Sequence, residues 1–132
     1  MERKVHQHLQ LQDGFRVFGY YLNEELIGFF TLILNGKHLE TYFLGYDAEH
    51  QYQNQLYLNM LYNMLGFGIN NKFKTVVYAR TAMEIKSSVG AKPEAMIVYI
   101  KHTNSFMNAI LKQIFGLMNP KQKWEERHPF TT

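Results

Sequence analysis

The sequence predicts an α/β (α+β) domain: a mixed, mostly antiparallel sheet of about five strands with helices on its faces. Three observations predict it. Two apolar runs flank the Asn35-Gly36 step, which tolerates the positive φ angles of a tight hairpin turn. Between residues 55 and 67 the apolar residues recur at helical spacing. Short β-branched runs and helical patterns then alternate, which gives the order β-β-β-α-β-α-β-α.

The first three strands are predicted to form an antiparallel meander. The aromatic-rich stretch Arg16–Leu22 has high β propensity, and Asn23-Glu24 follows it as a tight turn. Glu25–Leu34 is almost continuously apolar, which is typical of a central strand covered on both faces. Leu39–Tyr46 is the returning strand. Residues 1–13 are interpreted as a frayed segment or a short helix.

The period changes after a polar stretch at residues 47–54, which is interpreted as a loop. Gln55–Phe67 is predicted as an amphipathic helix with a wide buried face, ended by Gly66 and Gly68. Its apolar stripe consists of Tyr57, Met60, Leu61, Met64 and Leu65.

The second half of the chain predicts two further strands and two helices. Lys74–Arg80 is a β-branched run, and Ala95–His102 is another. Thr81 and Glu84 have capping-box spacing, which predicts a short helix over Ala82–Val89 that ends at Gly90. Asn104 or Ser105 is expected to cap a last helix that runs to Met118.

Composition limits the function. The 132 residues suit one domain, residues 1–132, and 46% hydrophobic content provides for a core. The absence of cysteine excludes disulfides, zinc–thiolate sites and a Cys nucleophile. The polar opening and the short apolar runs predict a cytoplasmic protein with no secretory signal and no membrane partner. A net charge of +3, mostly scattered, predicts no DNA partner but leaves a basic cleft for an anionic cofactor open.

The order of elements resembles the GNAT N-acyltransferase fold, from the second strand of that fold onward. In the GNAT fold two neighbouring strands splay apart, and the donor lies in the gap between them. Residues 78–94 further resemble the C-terminal part of the FemAB-like branch: Arg80 and Thr81 end a strand, and Lys86 precedes Gly90 by a few residues. The resemblance covers residues 15–103. It implies a GNAT-like sheet and a transferase ancestry with acyl-CoA or an aminoacyl-tRNA as donor.

The sequence departs from this family in two places. The family's first strand and two following helices have no room before Arg16, so the chain is expected to be a partial fold, a piece of a longer protein, or a fold that another copy completes. The family's Gln/Arg-x-x-Gly-x-Gly/Ala loop corresponds to Gln51-Tyr-Gln-Asn54-Gln55-Leu56. Asn54 can adopt the left-handed conformation in place of Gly, whereas Leu56 is bulky where the donor pyrophosphate approaches. Gln51, Asn54 and Gln55 are the donor-binding candidates.

The resemblance implies roles for residues on two strands, each with a structural alternative. Glu40 shares a strand face with Tyr42 and is a candidate general base, although a polar residue near solvent explains it more simply. Tyr78 is a candidate acid for a leaving thiolate, and core packing is its alternative. Arg80 suits a bidentate contact with a donor phosphate or carboxylate, or a structural role. Lys86 is expected on a solvated face.

No metal is expected. Asp47, Glu49 and His50 form a polar cluster, but acidic residues are common at a helix start and their spacing matches no ligand set. The predicted function is transfer of an acyl or aminoacyl group from a thioester or tRNA ester donor to a small-molecule amine. The alternative is a non-catalytic GNAT-like binding or dimerisation module, and a homodimer fits either case.

Overall fold

The computed structural model of the protein describes residues 4–5, 9–79, 82–118 and 124–129. Its strands are β1 Lys4–Val5, β2 Leu9–Gln12, β3 Phe15–Leu22, β4 Glu25–Asn35, β5 His38–Tyr46 and β6 Thr75–Val77. Its helices are α1 Ala48–Asn54, α2 Leu56–Asn70, α3 Met83–Ser87 and α4 Ser105–Met118. No helix in these ranges is long and apolar enough to cross a membrane.

The strands form one mixed sheet in the order β1-β3-β4-β5-β6, with β2 also paired to β3. β3, β4 and β5 are antiparallel neighbours, so the predicted meander is confirmed. β5 and β6 are parallel. Of the five predicted strands four form, because Ala95–His102 pairs with no described strand. The expected count of five is therefore wrong, and the short β1 and β2 were not predicted.

The hairpin turns follow from local backbone chemistry. Asn23 and Glu24 have φ angles of 49° and 68°, so both central residues are left-handed, as a type I′ turn requires. In the next hairpin Asn35 pairs with His38, which places the central residues at Gly36 and Lys37, one position later than expected. Gly36, with φ 57°, supplies the positive angle there.

The N-terminal prediction was wrong, and the sequence contained the signal that corrects it. Instead of a frayed segment or a helix, Leu9–Gln12 is a strand that pairs with β3. Asp13-Gly14 forms the turn between them, with Gly14 at φ 90°. Asp-Gly between two strand-like runs is a strong hairpin signal.

The core lies between the sheet and α2. Among the predicted stripe residues, Met60, Leu61 and Met64 are at most 1% exposed, which confirms the buried face of this helix. They pack against a layer of sheet side chains that are equally buried, namely Phe30, Leu32 and Leu39. Each such side chain contributes about 1.5–3 kcal/mol by leaving water.

The predicted helix Gln55–Phe67 is observed as α2, but the polar stretch before it is also helical. Asp47 caps α1 by accepting a hydrogen bond from the Glu49 backbone N–H at 2.9 Å. Gln55 then adopts φ 46° and ψ 43°, which interrupts the helix between α1 and α2. α1 has no buried residue, so its sequence has no apolar periodicity from which the helix could be predicted.

The chain after β6 differs most from the prediction. α3 begins at Met83 after an N-cap, Ala82, that makes no side-chain capping bond, and Thr81 of the expected capping box lies outside the described residues. Glu84 instead pairs with Arg127 at 2.6 Å. α4 forms as predicted, and Asn104 caps it by accepting from the N–H groups of Phe106 and Met107.

Candidate active site

The central feature of the candidate site is the place where β5 and β6 separate. Their parallel pairing covers His38 to Glu40 on β5 and Thr75 to Val77 on β6. β6 ends there, whereas β5 continues to Tyr46. The second half of β5 therefore has no β6 partner, and a slot opens at the C-terminal ends of the two parallel strands, where α/β sheets commonly bind ligands.

A β-bulge shapes the open half of β5. Phe30 pairs with Leu44 and Leu32 with Thr41, so two residues of β5 lie opposite Thr31 of β4. The buried Thr31 hydroxyl accepts a hydrogen bond from the Phe43 N–H at 2.8 Å and donates to the Phe43 carbonyl at 3.0 Å. One side chain thus satisfies both backbone polar groups of Phe43 in the bulge, a role that was not predicted from the sequence.

Helix α2 begins near the open end of this slot. Leu56 packs beside Gly28, since a Cβ at Gly28 would lie 3.3 Å from Leu56 Cδ2, and Gly28 pairs with Tyr46 at the end of β5. At the other end of α2, a Cβ at Gly68 would lie 2.6 Å from Val76 Cγ2. α2 therefore runs back along β5, its positively polarised N-terminus lies beside the end of β5, and the Leu56 side chain is in the core.

A large groove adjoins the slot. It has a volume of about 1690 Å³ and is bounded by β5, β6, α3, the segment that leads into α4, and α4 itself. Its walls include Glu40, Tyr42, Tyr78 and Lys86, so both predicted catalytic residues, Glu40 and Tyr78, border a common space.

Glu40 is half-buried at the last position of the β5–β6 pairing, opposite Val77. Its Oε1 accepts a hydrogen bond from Asn35 Nδ2 at 2.7 Å. The preceding Leu39 faces α2, so Glu40 lies on the opposite face of the sheet. Its second carboxylate oxygen has no hydrogen bond from the described residues, and the group lines the groove.

Tyr78 approaches the same region from the other face of the sheet. It is 8% exposed, and its hydroxyl donates to the Leu61 carbonyl of α2 at 2.8 Å. Burial raises its pKa well above the ordinary value of 10.0. This geometry matches the core-packing alternative, because the only hydroxyl proton is already donated to the protein.

Lys86 was expected on a solvated face, and that expectation is wrong. It is 7% exposed, and its Nζ donates to the backbone carbonyl of Tyr78, directly after β6. Desolvation by burial lowers its pKa. Among the described residues no carboxylate pairs with it, so a nearly buried ammonium group contributes to the groove wall. The sequence indicated a role for Lys86 only through its position in residues 78–94, the segment that resembles the FemAB-like branch.

The three donor-binding candidates before α2 have mainly structural contacts. Gln51 Oε1 accepts from the Tyr57 N–H at 3.1 Å and so caps α2. The carbonyl of Asn54 accepts from Asn59 Nδ2 at 2.7 Å. The left-handed residue is Gln55, one position after the expected Asn54. All three lie just before α2, and none of them lines the groove.

Two further predictions concern the edges of the site. Arg80 lies outside the described residues. Asp47, of the polar cluster after β5, caps α1, which favours its interpretation as a helix-start residue. Within the described part of the chain, no group of three or more His, Asp or Glu side chains is placed to hold a metal ion.

Comparisons with known proteins identify solved structures that share this architecture. No family model matches the chain, and no curated protein matches it in sequence. Two crystal structures of an aminoglycoside acetyltransferase from an uncultured soil metagenomic sample are similar to it, with 20% identity over 72% of this chain and 69% of theirs. The TM-score is 0.55 for the complex with trehalose and 0.51 for the complex with sisomicin. Over the matched part, the chain thus shares the fold of this acetyltransferase, which agrees with the expected acyl-CoA N-acyltransferase-like fold. Neither structure tests the resemblance to the FemAB-like branch.

Proposed function

We propose that the protein is an N-acyltransferase that transfers an acyl group from a thioester donor, acyl-CoA, to a small-molecule amine. The observation that carries the proposal is the slot between β5 and β6, with the N-terminus of α2 beside it. An extended donor with amide groups can pair with the unpaired backbone of β5 beyond Glu40. Its phosphates then lie at the N–H groups of the first turn of α2, which Gln51, Asn54 and Gln55 shape.

The proposed chemistry uses Glu40 and Lys86, which both line the groove. The amine nitrogen attacks the thioester carbonyl carbon, the C–N bond forms and the C–S bond breaks. Glu40 accepts the proton that the amine loses. The leaving thiolate receives a proton from the Lys86 ammonium, which solvent later restores. We assign this step to Lys86 rather than to Tyr78, since the Tyr78 hydroxyl proton is bonded to Leu61. Arg80 remains the candidate for a donor phosphate.

The FemAB-like resemblance suggests a second donor, an aminoacyl-tRNA ester, with the same amine attack. A second candidate function is a non-catalytic GNAT-like module. It is favoured by one observation: Gln51 Oε1 already accepts a hydrogen bond from the Tyr57 N–H in the first turn of α2, where the proposed donor phosphates would bind. Binding without transfer distinguishes this alternative from the enzyme.

The test combines donor binding with product detection. We expect acetyl-CoA to raise the melting temperature of the protein, because a ligand of the native state stabilises it. We also expect mass spectrometry to detect an acetylated product in a panel of aminoglycosides, polyamines and peptide amines. Glu40→Gln should lower kcat/KM by about 100-fold, the usual range for a general base, and leave donor binding intact.

Glu49→Gln is the matched control, because Glu49 is an exposed carboxylate on α1 whose side chain lies outside the groove. It should leave transfer unchanged. A donor-induced shift with no product from any amine would support the module instead. Neither a shift nor a product with acetyl-CoA or longer acyl-CoA donors would refute the transferase proposal.

A further inference from the structure

Two elements turn apolar side chains towards the groove beside the slot. In the segment between α3 and α4, the alternate residues Met96, Val98 and Ile100 line it, as one face of an extended chain does. In α4, Leu111 and Phe115 line it from one side of the helix, four positions apart. The groove therefore has a long apolar wall in addition to the polar side chains of the candidate site.

This apolar wall is in contact with water. Met96 is 83% and Val98 72% exposed, although both side chains border the groove. Removing such side chains from water is favourable in proportion to the apolar area that a ligand covers. The charged side chains in the same wall, Lys92 and Glu94, are exposed, so water still reaches them when a ligand fills the groove. The groove is thus suited to an apolar ligand group.

The proposed reacting groups lie in the same groove. Glu40 and Lys86 line it together with Met96 and Val98, so a thioester carbonyl placed between the two reacting groups opens onto the apolar wall. The acyl chain extends from this carbonyl on the side away from the sulfur. It is the apolar part of an acyl-CoA, and it therefore matches the wall in both position and chemistry.

The size of the groove exceeds what an acetyl group needs. Its volume of about 1690 Å³ is above the roughly 300–1,000 Å³ of most small-molecule sites. Met96 to Ile100 span at most about 14 Å, a length similar to that of an alkyl chain of about ten carbons. Methionine side chains adapt to irregular surfaces, and Met83, Met96 and Met118 all line the groove. The space suits a linear chain much longer than acetyl.

We propose that this groove binds the acyl chain of the donor, so that the protein prefers a medium-chain acyl-CoA of about eight to ten carbons over acetyl-CoA. The inference rests on the transferase function proposed above and specifies its donor. The amine nitrogen bonds to the thioester carbonyl carbon, the C–S bond breaks, and Glu40 takes the amine proton. The thiolate takes its proton from Lys86, so the products are free CoA and an amide that carries the alkyl chain.

The single tryptophan of the chain provides the first test. Trp124 is half-buried and lines the groove, so its fluorescence reports a ligand there independently of catalysis. We expect octanoyl-CoA to shift the Trp124 emission to shorter wavelengths. It should bind about 60-fold more tightly than acetyl-CoA, if each of about six further methylenes is half removed from water and contributes about twofold.

The outcomes separate this inference from the function on which it rests. Equal affinities for the two donors would overturn the inference and leave the transferase proposal intact. Tighter binding of octanoyl-CoA without a change in Trp124 emission would place the chain outside the groove and would also overturn it. Binding of neither donor would overturn the inference together with the transferase proposal.

Adjacent residues of the segment supply a matched pair of variants. Val98→Asp places a carboxylate in the apolar wall, so the ratio of octanoyl-CoA to acetyl-CoA affinity should fall to near one. Ile97→Asp is the control, because Ile97 is 77% exposed and does not line the groove, and it should keep the ratio of the natural chain. A Val98→Asp protein that keeps the preference, or an Ile97→Asp protein that loses it, would contradict the assignment.

Discussion

At the scale of single residues, burial determines the chemistry of Lys86. Its ammonium group has left water and donates to the Tyr78 carbonyl, and this environment lowers the pKa. A lysine in such a setting transfers a proton more readily than an exposed one. The same burial makes the stability of the protein depend on pH.

Lys86→Met tests this dependence through unfolding. Between the lowered pKa of the folded protein and the ordinary value of 10.5, the unfolded chain binds more protons, so the free energy of unfolding rises with pH. Buried Tyr20 and Tyr78 act in the opposite direction above pH 10.0, because burial raises their pKa values. We therefore expect the wild-type protein to gain stability relative to the variant as the pH rises from the lowered pKa of Lys86 towards 10, measured by urea denaturation.

The control is Lys37→Met, because Lys37 is exposed in the turn between β4 and β5. The difference in unfolding free energy between the wild type and this control should be constant over the same pH range. If Lys86→Met shows the same constant difference, the ammonium group of Lys86 is not desolvated in the folded protein.

At the scale of elements, close packing of α2 on the sheet positions the slot. The predictable part of this packing was the apolar stripe with Met60, Leu61 and Met64, since helical periodicity is local information. The Thr31 bulge was not predictable, because it depends on the register between β4 and β5. α1 was missed because a helix with no buried residue leaves no periodic signal. Lys86 appeared solvated because its burial arises from the contact between α3 and Tyr78.

Two glycines of α2 test that packing with opposite signs. A Cβ at Gly68 would lie 2.6 Å from Cγ2 of the stiff Val76 side chain, so we expect Gly68→Ala to destabilise the protein by about 1–3 kcal/mol. A Cβ at Gly66 has no neighbour within 4 Å, so Gly66→Ala should stabilise the helix by about 0.5–1 kcal/mol. Urea denaturation measures both. Equal effects would show that α2 does not approach β6 this closely.

At the scale of the whole molecule, the fold class was predictable and the position of its last strand was not. The meander followed from turn residues such as Asn23 and Glu24, whose conformation depends on immediate neighbours. Residues 95–102 have the composition of a strand, but a strand also needs an edge, and composition does not specify which edge. The prediction of a strand there is wrong, because the segment pairs with no described strand.

The shortness of β6 affects how the molecule opens. β3, β4 and β5 are connected by two-residue turns, whereas the pairing of His38 with Thr75 closes a span of 37 residues through three residue pairs. Loop closure of that length delays formation, and few hydrogen bonds resist separation. We expect native-state hydrogen exchange to show the β6 amides opening well below the global unfolding free energy, and the β4 amides only with it. Equal protection of the two strands would mean that the parallel pair belongs to the same cooperative unit as the meander.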